Sequence, residues 1–139
     1  MYNRTKLVGP YGFDPSKIST KLVIHGHTDD GFGETEICPM FLQAYAENLT
    51  QINFICVDWK TLADQEYFDS AKSAVRLGQV IGEKLVCDLL LDQLEQDPLK
   101  VHLIGHSLGA QMSGHIGRQT KNQRGQVLGR ITGLDPANL

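Results

Sequence analysis

The sequence predicts an α/β fold, a mostly parallel sheet with helices on both faces. Three observations predict it. Short apolar runs of strand length, near residues 21–25, 53–59, 101–104 and 127–134, alternate with longer segments whose apolar residues recur every three or four positions. These runs are nearly continuous rather than alternating in polarity, as strands buried on both faces require. The third run passes through Gly105-His106-Ser107-Leu108-Gly109 straight into a helical pattern, so that strand, sharp turn and helix follow one another. No linker divides the chain, and residues 1–139 read as a single, partial domain.

Each element has its own justification. Residues 1–20 carry the turn signals Gly9-Pro10, Gly12 and Asp14-Pro15-Ser16 and read as irregular. Residues 21–25 form the first strand, followed by a glycine- and aspartate-rich loop over residues 26–33. A helix begins near Pro39, where proline is tolerated in a first turn, and runs to about Asn48 with Phe41, Leu42 and Tyr45 on its apolar face. Residues 53–59 make a second buried strand, and a polar loop spans 60–66. A long helix covers 68–96, with Gly78 and Gly82 allowing close approach to the sheet, and Asp97-Pro98 ends it. The helix after Ser107 is expected to stop near Gln119, and a polar loop over 120–126 leads to the last strand.

Composition narrows the function. The chain has 139 residues and a formal net charge of −3. A domain of this length buries roughly 68% of the surface its unfolded chain exposes. There is no basic patch for nucleic acid, and no apolar run long enough to form a transmembrane segment. The three cysteines, Cys38, Cys56 and Cys87, have no metal-ligand spacing, and Cys56 and Cys87 read as buried free thiols. The sequons at Asn3 and Asn48 permit N-glycosylation of an exported protein. The N-terminus lacks the apolar stretch of a signal peptide, so a secreted origin implies a mature segment or a fragment.

The chemistry centres on Gly105-His106-Ser107-Leu108-Gly109, which has the form G-x-S-x-G in the strand–turn–helix context of a nucleophile elbow. A serine on such a turn presents its Oγ at the strand's C-terminal end, beside the Leu108 N–H and the positive end of the helix. The elbow glycines Gly105 and Gly109 are expected where a Cβ would clash. Asp135 ends the next strand and emerges at the same sheet edge, as a triad acid following its serine in sequence should. Gly26 lets the chain turn after the first strand, so that the His27 N–H points at the same oxyanion as that of Leu108. None of His25, His27, His102, His106 and His115 is placed as the triad base, and none of the chemistry calls for a cofactor.

These residues resemble the secreted animal lipases of the pancreatic-lipase-like family, which includes triacylglycerol lipases and phospholipases A1. Four segments, from about Leu22 onward, carry the resemblance: Val23-Ile24-His25-Gly26, Val57-Asp58-Trp59, Val101-His102-Leu103-Ile104-Gly105-His106-Ser107-Leu108-Gly109-Ala110, and Ile131-Thr132-Gly133-Leu134-Asp135-Pro136-Ala137. The resemblance implies an α/β-hydrolase fold truncated after the strand that bears the triad acid. It implies Ser107 as nucleophile, Asp135 as acid, and the N–H groups of His27 and Leu108 as oxyanion hole. The substrate would be a lipid ester, triacylglycerol or phospholipid sn-1 ester, met at a lipid–water interface outside the cell. The family's lid, calcium-binding loop, catalytic histidine and C-terminal lipid-binding domain would all follow residue 139. Residues 1–139 alone are therefore expected to be a poor hydrolase.

Two other readings compete. One is a lipase-like lipid-binding or yolk-type protein without catalysis. The other is a zinc metallo-hydrolase: His25-Gly26-His27-Thr28-Asp29-Asp30 is similar to H-x-H-x-D-H, with His106 as a third imidazole, although the sixth position is Asp30 rather than histidine.

Overall fold

A computed structural model describes residues 12–28, 31, 33 and 36–138. Four parallel strands, β1 (Ser19–Ile24), β2 (Ile52–Val57), β3 (Val101–His106) and β4 (Arg130–Leu134), form one sheet in the order β2-β1-β3-β4. Helix α1 (Ile37–Ala44) connects β1 to β2, and a 3-10 turn at Ala46–Asn48 follows it. A short helix α2 (Lys60–Ala63) and a long helix α3 (Tyr67–Val80) lie between β2 and β3. Helix α4 (Leu108–Arg124) joins β3 to β4.

The order of the strands dictates where the helices go. From β1 the chain steps to one side to make β2, then crosses β1 to make β3 and β4 on the other side. Right-handed crossovers in opposite directions put their helices on opposite faces. Accordingly Val23, Ile104, Phe54 and Cys56 pack with α1 residues Ile37, Cys38 and Phe41 on one face. Leu22, Ile24, Leu103, Ile55 and Val57 pack with Ala74, Val86, Met112 and Ile116 on the other. The two-sided burial of β1 and β3 explains why consecutive residues facing opposite sides are apolar in each, Leu22, Val23 and Ile24 in β1 and Leu103 and Ile104 in β3. In an open parallel sheet the crevice at such a switch in direction, outside the strand C-termini, is the binding position. Here it lies after β1 and β3, where residues 25–28 and Ser107 are found.

Several boundaries differ from the sequence reading. The 60–66 segment contains α2, whose first-turn N–H donors are met partly by Asp58, which accepts from Lys60 N at 3.1 Å. The long helix changes character at Ile81, and Ile81–Gln93 form wide i→i+5 turns, ending with Leu94 N–H donating to Leu89 O. Gly78 and Gly82 serve close approach to α4 rather than to the sheet: a Cβ at Gly78 would sit 2.6 Å from His115 Cβ, and one at Gly82 2.8 Å from Gln119 Cβ. Helix α4 runs past Gln119 to Arg124. Thr120 is buried against the core with its hydroxyl donating to Ile116 O, Arg124 pairs with Asp92, and the helix stops only at Gly125 in the left-handed region. The last strand begins at Arg130, three residues later than its apolar residues suggest.

The cysteine expectation is corrected. Cys56 is disulfide-bonded to Cys38 and only Cys87 is a free, buried thiol. Position 38 is in the first turn of α1 and position 56 lies on the α1 face of β2, so the packing of helix on strand brings the two together. Closing a loop of 18 residues stabilises the fold by about 3 kcal/mol in the chain-entropy account.

Candidate active site

Ser107 stands between β3 and α4 with φ 55° and ψ −118°, a backbone region that side-chain-bearing residues rarely occupy. The strain persists because its surroundings hold it on three sides. The Ser107 N–H donates to Leu134 O at 3.0 Å, and its carbonyl accepts from Ala110 N and Ala137 N. A Cβ on Gly105 would strike the Gly109 carbonyl, and one on Gly109 would strike the carbonyls of Ile24 and His25. The start of α4 is thereby pressed onto the ends of β1 and β3, as the glycine spacing predicts. Ser107 itself is half-buried, and Leu108 behind it is fully buried. As the first residue of α4, Leu108 has no carbonyl one turn back to receive its N–H.

Gly26 lies against the serine as well as turning the chain. A Cβ there would lie 2.9 Å from Ser107 Cβ, so the loop after β1 passes against the serine side chain. His27 follows, and its N–H makes no backbone hydrogen bond among the described residues. The His27 ring is anchored: Nε2 lies 2.9 Å from Gln65 O, and Tyr67 meets the ring edge-on at 5.2 Å between centroids. Thr28 N–H donates to Ala63 O at 3.0 Å, tying the same loop to α2.

Asp135 is level with Ser107. The β3–β4 register pairs His106 with Leu134, so the next residue on each strand is Ser107 or Asp135. Asp135 is exposed with φ 43°, and no hydrogen bond or ion pair occupies its carboxylate among the described residues. Asp135 and Ser107 are not hydrogen-bonded to each other.

Five histidines are present, and four are placed where they do other work. His25 is fully buried and stacked on Trp59 at 5.5 Å. Its Nδ1 donates to Gly26 O at 3.1 Å and its Nε2 accepts from Trp59 N at 3.3 Å, while Trp59 Nε1 donates to His25 O. Both ring nitrogens are thus used, and the zinc pattern loses its first ligand; Asp29 and Asp30 of that pattern lie outside the described residues. Among the described residues no three His, Cys, Asp or Glu side chains converge as a metal site. His102 sits between Lys21 and Arg130 in register, with Nε2 donating to Thr132 Oγ1 at 2.8 Å. Burial first, then the Lys21 and Arg130 charges, lower its pKa to about 4. It is roughly 16 Å of strand from Ser107. His115 packs on Gly78, with its pKa lowered by burial and by Arg118. His27 is held by Gln65 and Tyr67. The fifth, His106, shares the α1 face of β3 with Ile104, its Nδ1 3.3 Å from where a Gly26 Cβ would be, on the side away from α4.

Sequence reasoning missed the supports. Trp59 was visible only as part of Val57-Asp58-Trp59, yet it fastens the end of β2 to the loop before His27. Tyr67 carried no signal. It touches the His27 ring and donates from Oη to Asn138 O at 3.1 Å, linking the loop after β1 to the segment after Asp135. Gln111 Nε2 holds Ala137 O at 2.7 Å on the same segment. Of the two sequons, Asn48 is exposed at the end of its 3-10 turn, and Asn3 lies outside the described residues.

Comparison with known proteins shows the family. The family model described as Lipase matches residues 11–139. The chain is 38% identical over 119 residues to human inactive pancreatic lipase-related protein 1, covering 84% of this chain and 23% of that protein. It is 38% identical over 122 residues to pancreatic triacylglycerol lipase of Myocastor coypus, covering 85% of this chain and 24% of the relative. Bovine pancreatic lipase-related protein 2 is 39% identical over 122 residues, with 85% and 23% covered. The chain therefore spans about a quarter of the length of these relatives. Family model, identity and a parallel α/β sheet carrying a serine on a strained strand-to-helix turn agree: this chain belongs to the lipase family.

Proposed function

We propose that the full-length protein hydrolyses lipid carboxylic esters through an acyl-enzyme formed on Ser107. The observation that carries this reading is the strained Ser107, level with an unpaired Asp135 and flanked by the start of α4 and by the Gly26–His27 loop. In the first step Ser107 Oγ attacks the ester carbonyl carbon as its proton passes to an imidazole oriented by Asp135. The N–H groups of His27 and Leu108 receive the oxyanion. The C–O bond to the alcohol then breaks, the imidazolium returns the proton to the leaving oxygen, and water deacylates the serine by the same steps. We infer that this imidazole comes from a part of the protein outside these residues: His25, His27 and His102 are held by other partners, His115 lies against Gly78, and His106 is on the α1 face of β3. Residues 1–139 alone then lack the base, which makes them a poor hydrolase.

The substrate class follows from the family: lipid esters at a lipid–water interface, with triacylglycerol and phospholipid sn-1 esters as the two to assay. Among the described residues no helix is long and apolar enough to cross a membrane. The Cys38–Cys56 disulfide supports an extracellular protein, because such bonds persist in oxidising compartments. A non-catalytic lipid-binding role is the second reading, favoured by the 38% identity to an inactive pancreatic lipase-related protein.

An organophosphate ester distinguishes them. Mass mapping of the full-length protein after treatment should locate the adduct on Ser107. A protein left unlabelled, while a lipase control reacts, supports the non-catalytic reading.

The two substitutions at His27 test the donor. His27→Pro removes the N–H and is expected to lower kcat/KM at least a hundredfold, the usual cost of one oxyanion donor. His27→Phe keeps the N–H and the ring contact with Tyr67 but loses the bond to Gln65 O. It should cost about 1 kcal/mol, roughly fivefold. Equal losses in the two variants would mean that the imidazole takes part in the chemistry.

A further inference from the structure

We propose that Asn48 carries an N-linked glycan, attached in the secretory pathway and placed at the pole of the domain opposite Ser107. Several observations meet there. Asn48-Leu49-Thr50 is an acceptor sequon. Asn48 and Thr50 are both exposed in the turn between α1 and β2. The Asn48 backbone is fully used in shaping that turn, its N–H donating to Tyr45 O and its carbonyl accepting from Gln51 N, both at 2.8 Å. Its side-chain amide has no hydrogen-bond partner among the described residues, so modification breaks nothing that holds the fold. Finally, Asn48 lies inside the loop closed by the Cys38–Cys56 disulfide, a bond made in the same oxidising compartment where asparagine is glycosylated.

Transfer requires a polyprenyl-diphosphate-linked oligosaccharide as donor. Asn48 Nδ2 forms a bond to the anomeric carbon and loses one proton. The bond between that carbon and the diphosphate oxygen breaks, and the polyprenyl diphosphate leaves with the electron pair.

Placement follows from the parallel sheet. Asn48 precedes β2, at the N-terminal ends of the strands, whereas Ser107 and Asp135 follow the C-terminal ends of β3 and β4. The six-residue strands separate the two poles by roughly 20 Å. A glycan on Asn48 therefore leaves the Ser107 end free to meet a lipid surface, the one part of the proposal that rests on the ester-hydrolase reading.

The test is secretion of the full-length protein from eukaryotic cells, followed by peptide mapping before and after peptide N-glycosidase. The expected result is a glycosylated peptide converted to aspartate at position 48. Thr50→Ser should keep the modification, and Asn48→Gln or Thr50→Ala should abolish it, with Asn3→Gln leaving it in place. Secreted protein with bare Asn48 overturns the proposal, as does a protein retained in the cytosol with Cys38 and Cys56 reduced. Enzymatic deglycosylation of the native protein should leave ester turnover unchanged; a loss or gain would place the glycan near the Ser107 pole instead. The mapping decides the modification even if no ester is hydrolysed.

Discussion

Ser107→Ala in the full-length protein is expected to lower ester turnover about a millionfold, the loss seen when a triad acts as a unit and its nucleophile is removed. The basis is positional. The backbone at φ 55° and ψ −118° lifts the side chain out of the strand, and the three backbone hydrogen bonds of Ser107 hold it there. Alanine keeps the same strained backbone, so the fold and its melting temperature should change little. Ser107→Gly should lose the same activity yet gain about 1 kcal/mol of stability, because glycine occupies that region without strain. Turnover of a short-chain ester and thermal melting of the three proteins check both parts. A Ser107→Ala protein as active as its parent would end the serine-hydrolase reading.

Asp135→Asn is expected to cost about ten-thousandfold in kcat, through the loss of imidazole orientation and of charge opposite the imidazolium. Asp135 has no structural partner to lose among the described residues. Its φ of 43° is a conformation asparagine adopts as readily as aspartate, so stability should be preserved. The effect should fall on kcat with KM little changed, since the carboxylate acts on the base and not on bound ester. Steady-state kinetics against the same ester measure it. A loss of tenfold or less would place the acid elsewhere. The roughly hundredfold difference expected between the Ser107 and Asp135 variants is itself informative, because nucleophile and orienting acid do not contribute equally.

The architecture and the elbow were legible in the amino-acid order because their determinants are local. Strand apolarity, the helical recurrence through Leu108, Met112 and Ile116, and the two glycines around Ser107 each act within a few residues along the chain. Asp135 was legible for a related reason: it ends the next strand, and parallel pairing in register brings it level with Ser107. The extent of α4 was misjudged because Thr120 and Arg124 are polar by type. Their partners, Ile116 O and Asp92, are met only once the helices have packed.

What tertiary structure alone decided are the contacts between residues distant in sequence. Strand order β2-β1-β3-β4 places the loop after β1 against Ser107 and sets Gly26 within 2.9 Å of the serine Cβ, measured from where its own Cβ would be. The packing of α1 on β2 turned two cysteines of unremarkable spacing into a disulfide. Trp59 and Tyr67 became supports of the His27 loop, and His25 became a buried strut with both nitrogens engaged. A sequence specifies residue types and local periodicity. Which side chains share a neighbourhood across tens of residues depends on the crossover directions and on the faces they bury, and those are properties of the assembled sheet.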